Sequence, residues 1–418
     1  MVETYIEFLR FCLNPDLPLP DSAKGIDWKE MKVWAEQQAI VGVIYQGMER
    51  AGKRISVPFH VLMEWVGYAQ QIEKRNVKMN KKCVELTEML KRDGFECCIL
   101  KGQGNALMYP DPYSRMSGDI DVFVLPGDNL NPNLNPNGNL NANPNPNPNL
   151  NGNPNYRNIV AKRRKVVMDY VKRMFPKTDL RYQHIDYPIY KDVEVEMHFI
   201  PTAMNNPVYN RRIQQWVEER MEEQCRHFVD LPGGVGRIAV PVTEFNVVYQ
   251  LSHMMHHFFD EGIGLRQVVD YYYLLRKAKE ELINLNPNLN GNLGHAGCGK
   301  RSVEGSELIE TLKYLNLYRF AGSVMWVLHE VLGLDEQYMI APMDEWRGRL
   351  LLEEILKGGN FGKYSGLTDH SMGTKYFLKI RRNMRFVRAY PAEALCEPWF
   401  RTWHFFWRKG HGWVRVEG

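Results

Sequence analysis

No two cysteines of this chain form a Cys-x-x-Cys pair, and the seven present are scattered, with only Cys97 and Cys98 adjacent. An odd count without framework spacing excludes a disulfide scaffold and points to reduced thiols in a cytoplasmic compartment. Residues 1–5 offer neither a basic n-region nor an apolar h-region, so no signal peptide is expected. A long hydrophobic run is missing as well. The most apolar stretch, 320–334, contains His329 and Glu330 and is too short to cross a bilayer, so no membrane span is expected. The metalloprotease signature is also absent. His253 and His257 have the i, i+4 spacing of a zinc-binding helix, but no Glu follows the first histidine. A structural or substrate-contacting role is the expectation for them. Charge of neither sign prevails, with 53 Lys and Arg against 49 Asp and Glu, a net +4.

What is present is an ordinary globular composition, 44% hydrophobic and 24% charged. The 418 residues suffice for two or three domains with a substantial core. Apolar residues at three- and four-residue spacing, for example Met63, Val66 and Ala69, predict helices over 3–13, 27–50 and 58–92. Pro58 suits the first turn of the third helix, and Asp93-Gly94 ends it before a strand at 95–100. A short helix at 103–109, a strand at 119–124, a helix at 158–174 and strands near 180–185 and 187–200 follow. Helices are then predicted at 209–224, 243–259, 264–282, 302–316, 317–333, 346–357, 374–389 and 391–409. The fold class is α+β. A small mixed-sheet core at 94–204 lies between an N-terminal helical region, 1–93, and a mainly helical C-terminal domain, 205–418.

Two segments stand apart. Every second residue from 129 to 155 is asparagine, with Leu, Pro, Gly or Ala between, and 284–292 repeats the habit. A period of two resembles a strand, but the prolines remove donors and the segments hold little apolar mass to bury. The expectation is a disordered insertion at 129–155 and a flexible linker at 284–300.

The chemistry concentrates in the core. Ile99-Leu100-Lys101-Gly102 reads as a strand entering a glycine turn, and seventeen residues later comes Asp119-Ile120-Asp121. On a strand, Asp119, Asp121 and Phe123 share one face while Ile120, Val122 and Val124 share the other. The apolar face can enter a core, leaving two acids side by side at a surface or cleft. Charges so placed call for neutralisation, and Mg²⁺ binds through one or two carboxylates plus substrate phosphates. Composition alone supplies roughly six acidic i, i+2 pairs, so context has to decide. Val193 to Phe199 alternates again, with Glu194, Glu196 and His198 on one face. Paired beside the first strand, it would bring a third carboxylate, and three acids can hold two metal ions in phosphoryl chemistry. The alternation does not separate Glu194 from Glu196. Gly102 permits close backbone approach, the short helix behind it can face phosphates with its N–H groups, and Lys101 and Arg115 can supply positive charge. His198 is placed to touch substrate or orient a carboxylate.

Leu100-Lys101-Gly102, Tyr109-Pro110-Asp111-Pro112, Arg115, Gly118-Asp119-Ile120-Asp121 and Val195-Glu196-Met197-His198 resemble the uncharacterised nucleotidyltransferase family of Bacteroidetes and related bacteria. That family lies within the DNA polymerase β-like nucleotidyltransferase superfamily. The resemblance continues through Asp260-Glu261-Gly262-Ile263-Gly264-Leu265-Arg266-Gln267 and Asp270, and again at Gly358-Gly359-Asn360-Phe361-Gly362. It implies catalytic metal ligands Asp119, Asp121 and Glu196, with Mg²⁺ or Mn²⁺ as cofactor and a nucleoside triphosphate as substrate. Lys101, Gly102 and Arg115 would then face the nucleotide. One departure stands out: the superfamily begins its site with Gly-Ser, and Lys101-Gly102 occupies that place without the hydroxyl.

The expected activity is transfer of a nucleoside monophosphate to an acceptor hydroxyl with release of pyrophosphate. The acceptor is a small molecule, saccharide, tRNA or protein. Two alternatives are a metal-dependent glycosyltransferase using a nucleotide-sugar and a non-catalytic nucleotide-binding protein of the same fold. Asp121→Asn is expected to abolish transfer with little effect on unfolding. From 375 to 418, ten Lys or Arg stand against three Glu, a net +7, with Trp and Phe interleaved. Such a segment suits nucleic acid or an anionic membrane surface. Docking on the rest of the protein by its rings, with the basic face solvated, is the expectation.

Overall fold

The computed structural model describes residues 2–127, 156–285, 307–362 and 372–411. The asparagine-rich stretch 129–155 and residues 286–300 lie outside them. An α+β fold is found, with a small mixed sheet flanked by helices.

The N-terminal helices are α1 (Val2–Leu13), α2 (Trp28–Gln37), α3 (Val41–Ala51) and α4 (Phe59–Arg92). The single helix expected over 27–50 is two. Ala39 adopts a left-handed φ of 56°, and Gln38, buried beside it, turns its amide outward from the helix axis. That amide accepts the Leu265 N–H at 3.0 Å and donates to the Ile355 carbonyl at 3.2 Å. The backbone N–H groups at the break close locally, Ala39 onto the Glu36 carbonyl and Ile40 onto the Ala35 carbonyl, while the Gln38 side chain ties the turn to these distant elements.

Helix α4 is the spine. Val61, Trp65 and Ile72 enter a core formed with the N- and C-terminal helices, whereas Met79, Cys83, Leu86 and Leu90 enter the core beneath the sheet. The i, i+3/i+4 rule holds, but the buried stripe is not the one marked by Met63, Val66 and Ala69; Met63 is exposed. Trp65 sets the rotation, its indole donating to the Trp28 carbonyl at 3.1 Å. At the helix end Gly94, φ 87°, reverses the chain into β1 (Phe95–Ile99).

After a single helical turn, α5 (Gln103–Ala106), come β2 (Ile120–Pro126), α6 (Tyr156–Met174), β3 (His184–Asp186) and β4 (Val195–His198). The order across the sheet is β1-β2-β4-β3, with β2 and β4 parallel and both outer pairs antiparallel. Ile120, Val122, Val124, Val195 and Met197 pack with Val167 and Val171 of α6 on one face. On the other, Cys98, Leu100 and Phe123 join the larger helical core. Both faces are therefore covered, and the acids sit inside a crevice rather than on an open face. Only part of the strand expected at 187–200 forms.

Helices α7 (Pro207–Glu218) and α8 (Met221–Gln224) divide the helix expected at 209–224. A hairpin of β5 (Phe228–Asp230) and β6 (Arg237–Ala239) follows, with no counterpart in the sequence reading because three residues carry no visible period. Then come α9 (Thr243–Asp260), α10 (Leu265–Leu285), α11 (307–314), α12 (Tyr318–Glu330), α13 (Glu345–Gly358), α14 (Met372–Met384) and α15 (Pro391–Gly410). Among the described residues, no helix is long and apolar enough to cross a membrane.

Helix α15 docks by its rings, as expected of the C-terminal segment, and adds a feature of its own. Phe400, Trp403 and Trp407 do dock, edge-on against Tyr182. However, Glu393 and Glu397 are buried, while Trp399 is 78% and Phe406 64% exposed. The helix turns its acids inward and a second aromatic face outward.

Helix α3 and the segment before β2 meet at a close backbone approach. A Cβ at Gly42 would fall 2.0 Å from the Ser114 carbonyl oxygen, next to Arg115. Gly42→Ala is expected to lower the unfolding free energy by about 1–3 kcal/mol, read by urea titration. An unchanged midpoint would show that helix and loop separate freely.

Candidate active site

Site assembly begins at the end of β1. The Leu100 N–H donates to the Asp121 carbonyl at 3.0 Å, and Gly102 then takes a φ of 69° that favours glycine. This turn brings Lys101 back over β2. Its ammonium lies 3.1 Å from Asp121 Oδ1 and 2.9 Å from His253 Nε2 of α9.

Parallel pairing places Asp121 opposite Glu196 and Phe123 opposite His198. Ligand atoms of Asp119, Asp121 and Glu196 all lie within 4.8 Å of one another. Glu194 is outside this group. Its side chain is exposed, and its carbonyl accepts the Ile120 N–H at 2.9 Å. The backbone register thus separates the two glutamates that alternation alone left equal.

His198 Nε2 sits 3.1 Å from Asp121 Oδ1 and 3.3 Å from Glu196 Oε2. Burial would lower its pKa, but its hydrogen bonds to the two carboxylates raise it to about 9. Burial alone would raise Asp121, yet Lys101 and His198 hold it below the usual carboxylate range. Glu196 is likewise carried well below its ordinary value, against the effect of burial, by His184 and His198. Asp119 is the exception: burial and the neighbouring Asp121 push it up to about 6. Hence the carboxylates share two fixed cations, and Asp119 carries the residual repulsion.

Arg115, expected to face the nucleotide, is buried with Nε 2.8 Å from Asp270 Oδ1 and Nη2 2.7 Å from Oδ2. Asp270 also accepts from the Tyr109 hydroxyl at 2.7 Å and from Asn105 at 3.2 Å. Only Arg115 Nη1 is left, buried and without a hydrogen-bond partner, at the edge of a cleft lined by Gly102, Gly118, Asp119 and Arg266. Arg266 is one helical turn before Asp270 on α10 and donates to the Met116 carbonyl at 3.0 Å. Nothing in the sequence assigned Arg266 a role; its i, i+4 spacing from Asp270 was the available signal.

The three carboxylates border two spaces, Asp119 lining both. The cleft by Gly102 holds about 30 Å³, room for about one water. On the other side, a cavity of about 570 Å³ is lined by Glu196, His184, His198, His256, Arg181 and Phe400, among others. Lys101, Asp119 and His253 face both. His253 and His257 touch through their Nε2 atoms at 3.0 Å, and neither belongs to the two groups of potential metal ligands found among the described residues.

A family model described as uncharacterised nucleotidyltransferase matches residues 24–286, a span containing the sheet, the three carboxylates, α9 and α10. The chain belongs to this uncharacterised nucleotidyltransferase family. No curated protein and no solved structure matches it.

Burial alters what Asp121→Asn should do. Neutralising it leaves Lys101 and His198 buried without their principal anion, so a loss of stability is now expected. Asp119→Asn behaves oppositely. A carboxyl whose folded pKa is raised stabilises the fold most below its unfolded pKa, and the contribution is lost as pH rises through about 6. In the metal-free protein, Asp119→Asn should therefore melt higher than wild type at about pH 8, with the difference vanishing near pH 4. Melting curves across that range would test it; equal melting at both ends would contradict it.

Proposed function

We propose that this protein is a divalent-metal-dependent nucleotidyltransferase of the DNA polymerase β-like kind, moving a nucleoside monophosphate from a nucleoside triphosphate to an acceptor hydroxyl. The observation that carries this reading is the convergence of Asp119, Asp121 and Glu196 within 4.8 Å, on a segment matched by a nucleotidyltransferase family. A cation fits there on independent grounds. Asp121 Oδ2 is buried with no hydrogen-bond partner, an arrangement that is unfavourable unless something positive meets it.

Asp119, Asp121 and Glu196 would hold Mg²⁺, or Mn²⁺. Bound there, the metal supplies Lewis acidity toward the phosphoryl oxygens and the acceptor hydroxyl. The chain's own groups do the rest. Gly102 lets backbone approach the phosphates, and Lys101, Arg266 and the remaining Nη1 of Arg115 set positive charge around them. The larger cavity has the volume of a nucleotide site. In the transfer, the acceptor oxygen bonds to the α-phosphorus and the bond to the α,β-bridging oxygen breaks. Pyrophosphate leaves with that electron pair, and the hydroxyl proton passes to one of the carboxylates. The acceptor class is a small molecule, saccharide, tRNA or protein.

A second reading, nucleotide binding without turnover, is favoured by one observation. The Lys101 ammonium is paired with Asp121, and the turn that carries it lacks the serine hydroxyl of the superfamily pattern. Incubation with each α-labelled triphosphate, Mg²⁺ and cell extract separates the two. The transferase reading expects labelled product from wild type and at least about 100-fold less from Glu196→Gln. Mg²⁺-dependent triphosphate binding by calorimetry without label transfer would favour the second reading. Absence of such binding would overturn both.

A further inference from the structure

A second group of ligands borders the larger cavity, and the proposed transfer does not use it as such. His184 of β3, and Glu196 and His198 of β4, present ligand atoms within 4.8 Å of one another. Sheet register brings them together: His184 faces His198 across the antiparallel β3–β4 pair, and Glu196 shares the face of His198. His184 Nδ1 lies 3.2 Å from Glu196 Oε2, and His198 Nε2 lies 3.3 Å from the same oxygen. Two ligands about 2.0–2.1 Å from a tetrahedral ion are separated by about 3.3 Å. The two separations from Glu196 Oε2 therefore match that spacing.

The surroundings fix the ring orientations as well. His198 Nδ1 is 3.3 Å from the Ile200 carbonyl, which can only accept, so Nδ1 carries a proton and Nε2 is the atom turned to Glu196 and Asp121, from which an incoming ion would displace the second proton of the imidazolium. Behind His184, its Nε2 lies 3.7 Å from Asp186 Oδ1, leaving Nδ1 to face Glu196. The carbonyl behind the His198 imidazole is the outer arrangement that orients metal-binding histidines. Moreover, the His184 side chain is 8% exposed, and neither ring nitrogen makes a hydrogen bond. A buried imidazole without a hydrogen-bond partner, aimed at a carboxylate oxygen and a second imidazole, indicates a missing partner.

We propose that His184, Glu196 and His198 form a binding site for an imidazole-preferring divalent cation of the Zn²⁺ class. Three protein ligands leave the fourth position open to the cavity of about 570 Å³, which all three line. Imidazole nitrogens select such an ion over Mg²⁺, which prefers an all-oxygen set. The site shares Glu196 with the proposed magnesium centre but needs neither Asp119 nor Asp121.

The test uses the full-length protein, stripped with a chelator and titrated with Co²⁺ and then Zn²⁺ in excess Mg²⁺. Wild type should take up one equivalent of Co²⁺ with the intense visible absorption of a four- or five-coordinate histidine site, and Zn²⁺ should displace it. His184→Gln should weaken uptake by at least about 100-fold, whereas Asp119→Asn should leave it intact while weakening Mg²⁺ binding. Thermal melting would verify that the variants fold, with His184→Asn as the replacement should the glutamine variant not fold. No one-equivalent uptake, a weak octahedral spectrum, or equal affinity in the folded His184 variant would overturn the site. Loss in Asp119→Asn alone would move the ion to the three-carboxylate centre and also overturn it. Failure here leaves the transferase reading standing, because that reading is tested by label transfer and by Mg²⁺.

Discussion

Three carboxylates held within 4.8 Å in a crevice set the constraint around which the centre of the molecule is built. Each pair repels by roughly 3 kcal/mol at an effective dielectric constant of about 20, so the group needs compensating charge even with no ion bound. Lys101 and His198 provide it by direct contact with Asp121, and Arg266 adds a longer-range share at Asp119. These cations come from three different places: the turn after β1, the end of β4 and the start of α10. Electrostatic balance therefore ties the sheet to the helices that cover it.

The same logic explains Asp270. It lies on α10, far in sequence from the strands, yet it collects Arg115, Tyr109 and Asn105, all from the segment between β1 and β2. Fixing that segment fixes Gly118 and Asp119, which continue directly from it into β2. An arginine expected to be a ligand group is largely a strut, and the freedom left to it is one nitrogen. Positioning and binding are here divided within a single guanidinium.

Much of this was legible beforehand. Period-2 alternation located β2 and the residues of β4, and the Asp119–Asp121 pair with a glutamate on a neighbouring strand was visible from residue types alone. What alternation lacks is phase between strands: only pairing could raise Glu196 over Glu194, because both lie on the same face of one strand. The division of 27–50 was hidden for a different reason. The break lies at Ala39, a non-glycine residue in the left-handed region, and the Gln38 side chain beside it is held by partners more than two hundred residues away that no local propensity registers. Helix α15 docks by Phe400, Trp403 and Trp407 as expected, but Glu393 and Glu397 are also buried, which residue type alone does not announce. Glu393 accepts the Asn205 N–H at 2.7 Å.

The Arg115–Asp270 pair has a practical corollary. A fragment ending at residue 204 would keep the guanidinium, Tyr109 and Asn105 but lose the carboxylate that all three address. It would also lose α9, and with it the imidazole beside Lys101. Trimming the chain to its strands for expression or crystallography would thus open the cleft on the side that α9 and α10 line. The smallest piece worth purifying extends through α10.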